Sequence, residues 1–327
     1  MQQYDGRPER VTPAPVRQPH VADIHHRLII HAPDATAECA GITPPAWQAW
    51  TVKLSARSLV TPLAALLMSA TALTGCAQAG GWNGKGSGDG LAAPAKKEIA
   101  MQLVSSAENS TLDWKAQYTY IEDIGDGRGY TAGIIGFCSG TGDLLRVVER
   151  YAKSRPGNAL ERFLPALREV KGSDAHTGLG GPFTRAWAEA ADDARFREAQ
   201  DAERDASYFD PAVRRAKEDG LGTLGQFAYY DAYVMHGEAD ADGTTGFRTI
   251  RRRALDHARS PADGGDETAY LDAFLDARVA AIREEPSHSD TSRVETAQRV
   301  FLDRGNLDLD PPLAWKVYGD SYEIKGP

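Results

Sequence analysis

Tyr120-Ile121-Glu122-Asp123-Ile124-Gly125-Asp126-Gly127-Arg128-Gly129-Tyr130-Thr131 is where the chain changes its period. From Tyr118 to Ile121 the residues alternate and are rich in aromatics, as in a strand. Gly125-Asp126-Gly127 makes a tight turn, and Gly129 to Ala132 returns as a second short strand. Just upstream, Ile99, Leu103 and Val104 fall at helical spacing, which predicts a helix over 96–107 with Glu108 at its C-terminal end. Everything after Gly140 reads as helix. Leu144, Leu145, Val147, Val148 and Tyr151 share one face, and Leu160, Phe163, Leu164 and Leu167 share another. Further helices are expected at about 181–191, 193–206, 210–218, 221–236, 244–259, 266–284 and 292–303. Asp266 and Thr291 are candidate N-caps, and Gly220 and Gly237 candidate C-terminal stops. No repeat is present. The expected fold class is mainly α with one small antiparallel sheet.

Upstream of this body the chain is different in kind. Residues 1–50 are rich in Pro, Ala and His without period, and read as disordered or as a spurious upstream extension. Residues 51–79 read as a secretory signal. Lys53 and Arg57 form the positive region, and Leu59 to Leu73 an apolar stretch too short for a secure membrane span. Two endings are open. Ala77-Gln78-Ala79 fits a cleavage site that releases the protein, whereas Leu73-Thr74-Gly75-Cys76 resembles a lipobox that would anchor it through Cys76. The signal starts about fifty residues into the chain, so Val52 is a candidate non-Met start. Residues 80–95 are a Gly/Ser/Ala-rich linker, and 96–327 the expected folded body.

Of the net charge of −9, residues 1–50 contribute −1 and residues 51–79 contribute +2, which leaves −10 on the remainder. Phosphate would be repelled, so nucleic acid is excluded as a partner, while a cationic ligand suits the body. Arg251-Arg252-Arg253 is read as a solvated helix face paired with acids. Cys39, Cys76 and Cys138 have neither metal nor scaffold spacing. Cys138, in an apolar run, is read as a buried small hydrophobe. His176, His236, His257 and His288 make no pair at i, i+4 and are read as surface or hydrogen-bonded histidines, so no metal site and no cofactor are expected. No P-loop, Rossmann fingerprint, HExxH or GxSxG occurs in the body.

What remains is carboxylate chemistry. Glycoside hydrolysis needs one protonated and one ionised carboxyl across the scissile bond. Glu108 at a helix end and Asp126 on a turn stand on separate supports. The negative end of the helix dipole disfavours ionisation of Glu108, and Asp126 between glycines can stay solvated and ionised. On pattern alone, two acids near a glycine turn also fit an ordinary solvated surface.

Ser106-Ala107-Glu108-Asn109-Ser110, Asp113-Trp114-Lys115, the Tyr120–Thr131 stretch and Gly136-Phe137-Cys138-Ser139-Gly140-Thr141-Gly142-Asp143 together resemble the active-site segment of the glycoside hydrolase family 46 chitosanases. The likeness continues through Gly225-Gln226-Phe227 to Asn306-Leu307-Asp308-Leu309 and covers the body from about residue 98 onward. It implies a two-lobed fold like the lysozyme superfamily, with a substrate cleft and the small sheet near the active site. It also implies Glu108 as general acid, Asp126 as general base, and Thr131 helping to hold the attacking water. Asn109, Tyr120, Arg128, Asp143, Glu285 and His288 correspond to residues lining sugar subsites. Asp231, Arg278 and Arg293 correspond to a buried ionic cluster that supports the helices and takes no part in the chemistry. Arg128 also fits a salt-bridge partner of Glu122 or Asp123, and Trp114 is read as a core aromatic.

The expected activity is endo-hydrolysis of β-1,4 bonds in chitosan, by inverting single displacement, in a secreted monomer. Asp143 is the expected contact for a substrate amine. A lysozyme-like muramidase and a non-catalytic polysaccharide-binding lipoprotein are the rivals. Only lipidation of Cys76 would bring in a membrane.

Overall fold

A computed structural model describes residues 89–240, 245–285 and 289–326. The segments 1–50 and 51–79, most of the 80–95 linker, Cys39, Cys76 and His288 lie outside the described residues.

Two helices form the centre. Helix α1, Pro94–Glu108, starts with Pro at its first turn and is buried from Ile99 to Ala107 except at the half-buried Gln102. A helix buried on most of its surface belongs inside a core. Helix α1 is tied to its surroundings at three points. Trp114 donates Nε1–H to Glu98 Oε1 at 2.9 Å, Trp315 donates Nε1–H to Ser106 Oγ at 3.0 Å, and the Tyr230 hydroxyl lies 3.8 Å from Met101 Sδ. Tyr230 belongs to the second central helix, Thr223–His236, which is buried from Thr223 to Tyr233 and stops at Gly237 with φ +69°.

A small sheet follows α1. Strands β1 (Ile121–Asp123), β2 (Tyr130–Ala132) and β3 (Phe137–Cys138) are antiparallel in that order. The register sets Glu122 opposite Thr131, and Thr131 opposite Cys138, so these three form one row across the sheet. Asp143–Ser154, Leu164–Val170, Gly181–Ala190 and Ala194–Arg204 are the next helices. Beyond the second central helix, Phe247–His257 packs on Glu267–Glu284, whose N-cap Asp266 accepts from the Ala269 amide at 2.9 Å. Asp205–Phe209 and Val294–Gln298 are π-helical turns, a form enriched at functional sites.

Three expectations are corrected. Residues Trp114–Thr119 form a 3₁₀ helix, so β1 begins only at Ile121. Chain after Gly140 is not all helix: β4 (Leu313–Val317) and β5 (Asp320–Ile324) close the body as a hairpin, with Leu313, Trp315 and Val317 inward. Thr291 offers only its carbonyl to the Val294 and Glu295 amides, and the side chain that turns the entry is Asp290, which accepts from the Ser292 amide at 2.7 Å. The remaining helices fall within a few residues of their expected ranges.

Candidate active site

Glu108 is the last residue of α1, and the chain leaves it sharply. Asn109 caps the helix through its amide to Ser105 O at 2.8 Å, and Ser110 takes the left-handed region at φ +51°. This turn keeps the Glu108 carboxyl on a rigid end, half-buried. Its Oε1 lies 2.8 Å from Arg293 Nη2, an ion pair by distance whose angle is not that of a hydrogen bond. The Nδ2 of Asn109, next along, is buried without a hydrogen-bond partner. An unpaired donor beside the acid is a place where a ligand hydroxyl or carbonyl gains a full hydrogen bond.

Arg293 belongs to the buried cluster expected from the resemblance, but it does more than support helices. Asp231 is 1% exposed. It accepts from Arg278 Nη1 at 2.8 Å, Arg293 Nη2 at 2.8 Å and Gln298 Nε2 at 2.6 Å. Burial alone would raise its pKa, yet the two guanidiniums hold it well below the usual carboxylate range. The Glu108 carboxyl lies against the same Arg293 nitrogen that meets Asp231, so the acid is the fourth member of this cluster.

Asp126 sits in the β1–β2 loop between Gly125 (φ +72°) and Gly127 (φ +80°), a backbone that side-chain-bearing residues resist. Gly129 is needed for a second reason: a Cβ there would stand 2.4 Å from Ser139 Oγ. The loop folds Arg128 back on Asp126. Asp126 Oδ1 accepts the Arg128 amide at 3.0 Å, and Oδ2 accepts Nε at 2.7 Å and faces Nη2 at 2.5 Å. Arg128 therefore pairs with Asp126 rather than with Glu122 or Asp123. It also feels the charge of Glu108, so one guanidinium is within electrostatic reach of both carboxylates. Tyr120 feels the charges of Glu122 and Asp126. Burial and these two acids push its phenol up.

Thr131 is buried in the row between Glu122 and Cys138, and its Oγ1 lies 3.6 Å from Cys138 Sγ. Cys138 is 2% exposed, as expected of a buried small hydrophobe, and burial pushes its thiol up to about 11.

Asp143 departs from expectation. It is 3% exposed, and protein donors already meet its carboxylate. Oδ1 accepts the amides of Cys138 at 2.8 Å and Leu144 at 3.0 Å and the Thr141 hydroxyl at 2.6 Å, while Oδ2 accepts the Tyr208 hydroxyl at 2.6 Å. As folded, Asp143 anchors β3 to the helix it begins and offers no exposed oxygen face to an amine. Pattern reading missed Tyr208, which comes from the π-helical turn Asp205–Phe209.

Glu285 follows the Glu267–Glu284 helix, half-buried, and His288 beside it is outside the described residues. His236 is neither a surface nor a hydrogen-bonded histidine. It is 6% exposed, and both ring nitrogens lack a hydrogen-bond partner. Trp114 is in the core. Arg253 pairs with Glu284 at the surface, as expected of a solvated and paired helix face, but Arg251 departs from that reading: it turns inward to pair with the buried Asp219. Among the described residues no group of His, Cys, Asp and Glu has the arrangement to hold a metal ion.

The profile of glycosyl hydrolase family 46 matches residues 102–313. A chitosanase of Streptomyces sp. strain N174 is 60% identical over 274 residues, 84% of this chain and 97% of that protein. One of Nocardioides sp. strain N106 is 61% identical over 235 residues, 72% and 84% of the two chains. Among solved structures, chitosanase OU01 crystallised with substrate is 58% identical with a TM-score of 0.69, covering 72% of this chain and 99% of that one. The Gynuella sunshinyii chitosanase in complex with chitotetraose is 37% identical with a TM-score of 0.64, covering 70% and 96%.

Proposed function

The chain belongs to glycosyl hydrolase family 46, and from that premise we propose that it cleaves the β-1,4 bonds of chitosan by a single inverting displacement, with Glu108 as acid and Asp126 as base. The observation that carries this reading is that the two carboxyls stand on separate rigid supports, a helix end and a glycine-bounded loop, each with its own arginine.

Glu108 gives its proton to the leaving glycosidic oxygen as the C1–O bond breaks. A water held by Asp126 and Thr131 forms the new bond to C1 from the opposite face. Asp126 takes one water hydrogen, and the other stays on the new anomeric hydroxyl. Substrate amines carry positive charge, and a body of charge −10 raises their local concentration. Separate supports suit an inverting enzyme, whose carboxyls stand roughly 6.5–9.5 Å apart to admit the water, against about 5–5.5 Å in a retaining one. The leader-like stretch 51–79 supports export, with release as a monomer after Ala79 as the preferred outcome and anchoring through Cys76 as the alternative.

Proton NMR of the earliest products on glucosamine oligomers tests the mechanism. The α anomer should appear first, before mutarotation. First appearance of the β anomer would make Asp126 a nucleophile and overturn the inverting assignment.

A further inference from the structure

Thr131 has one hydroxyl hydrogen and two lone pairs, and its use to a nucleophilic water depends on which of these it presents. The neighbours of Cys138 decide. The thiol has a single hydrogen, and its Sγ stands 3.3 Å from Gly136 O, a carbonyl that can only accept. The S–H is committed there. In the 3.6 Å contact between Cys138 Sγ and Thr131 Oγ1, the sulfur must then accept and the threonine must donate. The rest of Thr131 is also fixed. Its methyl faces Gly136, where an added Cβ would come within 3.2 Å of Cγ2, and its backbone is locked between β1 and β3. Cys138 is held in turn: its amide donates to Asp143 Oδ1 at 2.8 Å, and the strand register places it directly across from Thr131.

We infer that Cys138 is a positioning residue for hydrolysis: its sulfur takes the Thr131 hydroxyl hydrogen, so that Thr131 meets the attacking water only as an acceptor. The inference rests on the reading in which Asp126 and Thr131 hold that water. Its consequence is electronic. A water that donates one hydrogen to Asp126 and the other to Thr131 keeps both oxygen lone pairs free, and one of them faces C1. A threonine that donated to the water would occupy a lone pair and blunt the nucleophile. The chain of contacts runs from Asp143 through the Cys138 amide, the thiol and Thr131 to the water, which gives the buried Asp143 a part in the reaction without touching substrate.

Steady-state kinetics on a glucosamine oligomer with Cys138→Ala, Cys138→Ser, Thr131→Ala and the Thr131→Ala/Cys138→Ala double variant tests the relay. Cys138→Ala should lower kcat by about tenfold with KM within about twofold. Cys138→Ser, whose hydroxyl can still donate to Gly136 O and accept from Thr131, should recover most of that loss. The double variant should be no slower than Thr131→Ala, because the sulfur acts only through the hydroxyl. Wild-type kcat in Cys138→Ala beside a slow Thr131→Ala would overturn the relay and leave the water assignment standing. A slow Cys138→Ala that serine fails to restore, with a matching fall in melting temperature, would make the thiol a packing residue and also overturn it. Wild-type kcat in Thr131→Ala would remove the hydroxyl from the water site and take the underlying reading down with it.

Discussion

The Nη2 atom of Arg293 lies 2.8 Å from Oε1 of Glu108, and the same nitrogen lies 2.8 Å from Oδ1 of Asp231. One guanidinium thus serves a carboxyl at the end of α1 and a carboxylate buried in the second central helix. The contact joins residues 185 positions apart, and it ties the acid to the buried cluster.

Replacing Glu108 by Gln should remove hydrolysis and keep the fold. The amide cannot donate the acid's proton, and general acid catalysis is worth about 10²–10⁴-fold. Arg293 retains Asp231, so the buried cluster stays paired. Turnover on chitosan and a thermal melt check both halves. A variant with more than about a tenth of wild-type kcat would remove Glu108 from the acid's role.

Asp231→Ala should be severe for a different reason. It leaves Arg278 and Arg293 buried with like charges and without their shared carboxylate. Breaking a buried pair from one side costs about 3–5 kcal/mol. Urea unfolding at neutral pH should show that loss in the midpoint with little change in slope. A midpoint within experimental error of wild type would mean that water reaches the cluster.

His236 predicts the acid limb of stability. Burial first, then the charges of Arg278 and Arg293, push its pKa down from the ordinary 6.5 to about 3, against the pull of Asp231. Between those values the unfolded chain binds a proton that the folded chain refuses. The contribution is therefore complete above about pH 6.5 and declines as pH falls toward 3, on the order of 2 kcal/mol by pH 5. His236→Phe, which removes both unpartnered nitrogens, should flatten melting temperature against pH in this window. Parallel curves for variant and wild type would exclude His236 as the cause.

Asp143 separates anchoring from charge recognition. With its oxygens taken by Cys138, Leu144, Thr141 and Tyr208, Asp143→Ala should lower melting temperature and kcat together. Its effect on oligomer binding should be the same at low and high salt, since screening acts on exposed charge pairs. A binding loss that shrinks as salt rises would put the carboxylate back in contact with a substrate amine.

Local rules made much of this readable in the sequence. Helix α1 ends at Glu108, Gly220 and Gly237 take positive φ at the stops expected of them, and Asp266 caps as its spacing required. The glycine loop around Asp126 was visible because few backbones other than a turn need Gly on both sides of one residue. The closing hairpin left a signal that neighbouring helices obscured: Leu313, Trp315 and Val317 alternate with Ala314 and Lys316 ahead of Gly319. Other features had no local signal. Trp114–Thr119 coils because Trp114 and Tyr118 both turn into the core, a demand set by distant partners such as Asp201, which accepts the Tyr118 hydroxyl at 2.9 Å. The Glu108–Arg293 pair and the Tyr208–Asp143 bond join separate parts of the chain, where spacing carries no information.

The shared guanidinium has a practical side for anyone evolving this enzyme. A selection for residual activity after heating scores the placement of the acid and the integrity of the core at one atom, so improvements in either that disturb Arg293 cancel in the readout. Beneficial changes should accumulate far from it, on exposed pairs such as Arg248–Glu238 and Arg168–Glu149. The neighbourhood of Arg293 should stay silent in such libraries, and shifting the pH optimum would call for a screen that measures rate and melting separately.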